Sequence, residues 1–326
     1  FYFVSMVVNA IDHYDAYLQK AGTSAVVTMS DRHWHEYIVT MVAGEKGINT
    51  YTNQHGWFRI LAAYIPVASD RIFVWGEESK NYLVKHNVPE ERIVVSGNPK
   101  FDDVNSWYLP RRQKIKKEFL RRHLLRPDLP VVTYLCPALG GSLGYQRSYE
   151  YFRCFCEVFK FRVNVVIKLK PALGAEPVYR KWLSDIGTDH DQCIFQREEI
   201  FEILAATDIA VSTASTSGLE AIGFGIPTII LNVIDEYDVR DASSFIDDAI
   251  ECRSVPEFRS VMSRLVDSGQ FYDAERRRAE KNRVKHFKNF DNINTSTMIH
   301  NYILSDVNCD DNLGIKEDHS CRFITE

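Results

Sequence analysis

The stretch from Thr207 to Ala221, TDIAVSTASTSGLEA, joins an apolar strand candidate to a helix start through a run of small hydroxyl residues. Free backbone N–H groups at such a start, with Ser and Thr hydroxyls beside them, can cradle a diphosphate. Ser215, Thr216 and Ser217 are the candidate carriers. Glu220, one turn into the helix, is placed to accept hydrogen bonds from a ribose. N-capping by Ser215 or Ser217 is the plainer alternative, and it needs only one hydroxyl. A second anion loop is expected at Gly140, Gly141 and Ser142, where glycines let the backbone approach a phosphate closely. Lys168 and Lys170, on one side of a strand end in VVIKLKP, are within reach of the same anion or simply solvated.

In the first third of the chain, Thr52-Asn53-Gln54-His55-Gly56 follows a strand candidate. An imidazole in that position suits a general base, because its ordinary pKa lies near neutrality. Asp31, in the cluster Ser30 to Glu36, either shares that role or caps a helix. His33 and His35 are two residues apart and diverge on a helix, so they make a poor metal pair. Seven scattered cysteines without a CxxC pair fit reduced thiols better than a disulfide framework or a zinc site.

These residues have to be held by something. Short β-rich runs alternate with helical patterns, with strands expected at 25–29, 49–53, 72–75 and 93–96, and again at 131–136, 164–169, 192–195, 209–212 and 228–231. Such alternation implies an α/β protein with parallel sheets and helices on both faces, since parallel strands need long crossovers. Two Rossmann-like lobes follow, 1–107 and 108–305, with helices closing the second and a mobile tail over 306–326. Binding is expected at the carboxyl ends of the strands. The opening at Phe1 inside an apolar stretch suggests that more sequence precedes it.

A length of 326 residues, 45% hydrophobic and 25% charged, is that of a globular protein large enough for two cores. The net charge of −5 argues against nucleic acid as a partner. No apolar run is long enough to span a bilayer; the reduced thiols suit a cytoplasmic protein, with the inner face of the membrane as an alternative location. One segment is strongly basic: Arg111–Arg126 carries eight Lys or Arg against one Glu at helical apolar spacing. Such a helix either lies on an anionic membrane or packs on the second lobe with a solvated outer face.

The segment STASTSGLEAIGFGIPTIIL, Ser212 to Leu231, resembles the donor-site signature of the GT-B glycosyltransferases. The resemblance implies that Ser215, Thr216 and Ser217 hold the donor phosphates, that Glu220 holds the ribose, and that Gly225 and Pro227 shape the next turn. The Gly140-Gly141-Ser142 loop is similar to that of the lipid-intermediate N-acetylglucosaminyltransferases. QHG, DRIFVWGEESKNYL and ERIVVSGNPKFD resemble bacterial surface-polysaccharide transferases, including the CDP-glycerol glycerophosphotransferases, and point to His55 as catalytic. Those glycerophosphotransferases carry a second histidine in a His-Pro pair, where this chain has Lys170-Pro171. The implied function is metal-independent and cofactor-free transfer from a nucleotide-diphosphate sugar to a cell-surface polysaccharide or lipid-linked glycan. A UDP-GlcNAc 2-epimerase-like enzyme is a second possibility, but the family's His-x-Glu-Ala-Gly element is replaced by Asn53-Gln54-His55-Gly56. A structural or regulatory protein is the non-enzyme alternative.

Overall fold

The computed structural model describes residues 2–58, 64–139, 144–170, 175–188, 193–213, 215–234, 244–291 and 293–311. Helix α1 (Tyr2–Ala21) packs on α2 (Trp34–Glu45) through Leu18, Ile38, Val42 and Ala43. Beside them β1 (Ala25–Thr28), β2 (Asn49–Asn53), β3 (Arg71–Val74) and β4 (Ile93–Val95) form a parallel sheet in chain order, with α3 (Glu77–Lys85) joining the last two.

The chain leaves this lobe through a π-helical turn, Val104–Tyr108, that continues into α4 (Leu109–Arg122). The second lobe contains β5 (Val131–Leu135), α5 (Gly144–Phe155), β6 (Asn164–Lys168), α6 (Ala175–Ile186), β7 (Cys193–Gln196), α7 (Ile200–Ala206), β8 (Ile209–Ser212), α8 (Thr216–Gly223), β9 (Thr228–Leu231) and β10 (Ile250–Cys252). Its six strands are parallel in the order β10-β9-β8-β5-β6-β7. The chain therefore runs outward from β5 in one direction and from β8 in the other. The crevice at the carboxyl ends of these two neighbours is where a doubly wound sheet binds ligands. Strands β5, β6, β8 and β9 are buried at every residue, as expected of parallel strands covered on both faces. Cys136, Cys154, Cys156, Cys193 and Cys252 lie free in one core of this lobe, and burial raises each thiol pKa, that of Cys136 to about 12.

Three helices close the chain: α9 (Val255–Asp267), α10 (Gly269–His286) and α11 (Thr295–Asp311). Ser254 and Ser268 cap the first two, accepting from Glu257 N and Phe271 N. The end of α10 packs so closely on the first lobe that a Cβ at Gly76 would collide with the backbone of Lys285 and His286. Asn289 ties the turn after β4 to the C-terminal segment: it accepts from Asn98 N at 2.8 Å and donates to Asn98 O, Asp102 and Thr295.

Helix α11 extends through residues expected to belong to the tail. Asp306 accepts from the Tyr51 hydroxyl at 2.6 Å, and Tyr302 packs edge-on against Phe73, so the last helix crosses back onto the first sheet. Helix α4 has its apolar stripe against the second lobe, with Phe119, Leu120, Val131, Ile203 and Ala206 in one cluster. That stripe is not available to a membrane.

Candidate active site

Strand β2 delivers Gln54 into the interior, where it organises the loop that follows. Its N–H donates to Phe73 O, its Oε1 accepts from Trp75 N, and its carbonyl accepts from Trp75 Nε1. Its Nε2 donates to Gly56 O, which the Tyr64 hydroxyl also reaches at 3.1 Å. With both neighbours pinned, His55 projects into the space between the lobes. Its Nδ1 lies 2.7 Å from Met29 O at the end of the first strand. A carbonyl can only accept, so in the neutral ring the proton sits on Nδ1 and Nε2 keeps its lone pair. Tyr64 stacks on the imidazole, with its hydroxyl 3.3 and 3.2 Å from the two ring nitrogens.

Asp31 does not share this site. Its side chain is buried, and Oδ2 accepts from Ala68 N at 2.7 Å, Ser69 N at 3.0 Å and Ser69 Oγ at 3.2 Å. The three donors on Oδ2 tie Asp31 to the 68–69 turn, and Asp31 is not among the residues that line the cleft. It does not cap α2 either, since the N-cap is His33, whose side chain makes no cap bond.

On the opposite wall β8 ends and α8 begins. A Cβ at Gly218 would sit 3.1 Å from Ser212 Cβ, so a glycine is what lets α8 approach the strand end this closely. Ser215 occupies the N-cap position without making a side-chain cap. Its hydroxyl instead bonds Ser212 Oγ at 3.0 Å and Ser217 Oγ at 2.8 Å. The capping alternative is therefore not what the serines do, and the N–H groups of Thr216 and Ser217 have no backbone partner among the described residues. Thr216 Oγ1 accepts from Trp57 N at 3.1 Å, which sets the His55 loop against the N-terminus of α8.

Between these walls lies a cleft of about 640 Å³, within the size range of small-molecule sites. His55, Lys168, Lys170, Thr216, Ser217 and Glu220 all line it. Glu220 is buried, and desolvation pushes its carboxyl up to about 7 despite the opposing charges of Lys100, Lys170 and Lys168. Burial holds the Lys168 ammonium below its ordinary range, and its Nζ donates to Leu169 O at 2.8 Å. Gly140, Gly141 and Ser142 fall outside the described residues. Ser215 lies behind the cleft wall, supporting Ser217.

The structure adds residues that sequence reasoning passed over. Lys100, in the turn after β4, enters the cleft from the first lobe, and Arg197, Glu198 and Glu199 enter from the end of β7. The GNPKFD segment that carries Lys100 was visible as a motif, but nothing local reveals that its lysine faces the donor lobe.

No protein-family model and no curated protein matches the chain. Solved structures do. The UDP-GlcNAc 2-epimerase from Neisseria meningitidis bound to UDP-GlcNAc aligns with TM-score 0.61 at 15% identity, over 92% of this chain and 81% of that one. A glycosyltransferase from Rickettsia africae ESF-5 gives 0.56 at 13% identity, over 91% and 81%. The wall teichoic acid polymerase TagF gives 0.55 at 14% identity, over 82% and 69%. At these identities the likeness is one of fold, and the fold is the two-lobed GT-B architecture that the donor-site segment suggested.

Proposed function

We propose that the protein is a GT-B glycosyltransferase that moves a sugar from a nucleotide-diphosphate donor to a hydroxyl of a cell-surface polysaccharide or lipid-linked glycan. The observation that carries this reading is the 3.1 Å bond from Trp57 N to Thr216 Oγ1. It holds a general-base candidate, His55 Nε2, against a helix N-terminus suited to a diphosphate. The donor would lie at the β5/β8 crevice, its phosphates on the N–H groups and hydroxyls of Thr216 and Ser217 and on nearby lysines. Its ribose would lie on Glu220. His55 Nε2 takes the acceptor proton as the new glycosidic bond forms, and the nucleoside diphosphate departs. The helix N-terminus and lysines neutralise the leaving charge, so the reaction is proposed to run without a bound metal or cofactor.

The reading includes a cytoplasmic location, and the support for it is that the five cysteines whose side chains are described are all free, as suits a reducing compartment. Thermal-shift titration with UDP-, CDP-, GDP-, CMP- and TDP-linked ligands tests the donor site. Saturation at a hundred times Kd stabilises by about 2.7 kcal/mol, and one nucleotide class should stand out. His55→Ala should retain that shift while transfer to an acceptor falls about 10²–10⁴-fold. Interconversion of a UDP-sugar without an acceptor would instead support an epimerase, and no shift with any nucleotide would remove the reading.

A further inference from the structure

Helix α4 has two unlike faces. On the inner face the cations have partners: Arg112 donates to Thr207 O and Phe224 O, and Lys116 pairs with Asp208, while Arg122, half-exposed at the edge of that face, pairs with Glu202. At about 100° per residue, Trp107, Arg111, Lys114, Lys117, Glu118 and Arg121 fall on the opposite side, and all six are exposed. Four cations less one carboxylate leave that face at +3, on a chain whose net charge is −5. Lys114 and Glu118 approach only to 4.0 Å, both largely in solvent, and Lys117 and Arg121 have no ion-pair partner among the described residues.

Large apolar side chains stand at both ends of this stripe. Trp107 is 53% exposed, with the Arg111 guanidinium 3.9 Å from its ring centroid. Leu124, just past the helix end, is 92% exposed and has φ of 53°. Helix ends that need a left-handed residue ordinarily use Gly or Asn. A leucine there accepts backbone strain and also shows its whole side chain to water, a combination that gains nothing in the isolated chain. Cations flanked by a tryptophan and a leucine match a membrane interface, where basic groups meet anionic headgroups and apolar tips reach the acyl boundary.

We infer that the outward face of α4, from Trp107 to Leu124, docks on an anionic lipid surface. The occupant is a bilayer and not a nucleic acid, because a phosphate backbone offers the exposed leucine no apolar surface. The inference uses none of the cleft residues and stands apart from the glycosyltransferase reading.

Co-sedimentation of the full chain with phosphatidylcholine vesicles, with and without phosphatidylglycerol, is the test. Binding is expected only to the anionic vesicles and should weaken as salt rises. The pair Lys117→Glu and Arg121→Glu should weaken partitioning on the order of 10-fold or more. The pair Trp107→Ala and Leu124→Ser should weaken it while leaving the salt dependence in place. Both pairs alter exposed residues, and an unchanged melting curve verifies the fold. Absence of binding to anionic vesicles, equal binding to neutral ones, or wild-type partitioning by both variants would overturn the proposal. Capture by a soluble polyanion such as heparin without vesicle binding would overturn it too, in favour of an acidic macromolecule.

Discussion

Two cleft residues, Glu220 and Lys100, carry charge that can be tested. Glu220 is the clearer case: burial raises its carboxyl from an ordinary 4.5 to about 7. The folded protein therefore holds a proton that the unfolded chain has already released. The resulting stability is fully present below pH 4.5 and is lost as pH rises through about 7, on the order of 3 kcal/mol in total. Glu220→Gln should flatten this dependence, leaving the variant more stable than the parent at pH 8 in urea unfolding while binding nucleotide more weakly. Lys100 is the other case. It is exposed in the cleft, and its backbone N–H is fixed by Asn98 Oδ1 at 3.1 Å. Calorimetry on Lys100→Ala should show affinity for a nucleoside diphosphate reduced by roughly 10-fold or more, the scale of a charged hydrogen bond, with little change for the monophosphate. Equal losses for both would place the ammonium away from the distal phosphate.

Among the elements, the doubly wound lobe was legible because buried parallel strands have a continuous apolar signature. VVTYL, VVIK, IAVS and TIIL each announce themselves within a residue of their observed bounds. The three-residue β10 was not, since Glu251 interrupts it and only Cys252 is buried. The site was legible where chemistry and local structure coincide, as with the serines and Glu220 beside a helix start. It was illegible where tertiary contacts decide: Asp31 and His55 both follow strands, and only the folded chain turns one inward to the 68–69 backbone and the other outward. Lys100 depends on an asparagine 191 positions away from Asn98. The β8–α8 junction gives a sharp test at this scale. Gly218→Ala places a methyl against Ser212, whose hydroxyl is already bonded to Ser215. The variant should lose about 1–3 kcal/mol, typical of overpacking, and lower the melting temperature together with nucleotide affinity.

For the whole molecule, the arrangement of the lobes rests on segments far apart in sequence. Helix α11 belongs to the C-terminal part of the chain yet packs on the first sheet, with Tyr51 donating to Asp306 and Arg71 to Tyr302. Asp306→Ala should cost about 1–3 kcal/mol, because it leaves a buried phenol without its acceptor. Domain-resolved hydrogen exchange should show the loss as faster exchange in the first lobe, not in the second. The five buried cysteines have a practical corollary. A thiol held protonated in a closed core ignores alkylating reagents until its surroundings part. Alkylation rates then time the breathing of the second lobe residue by residue, with Cys136 at the cleft floor as the position whose clock a bound donor would slow.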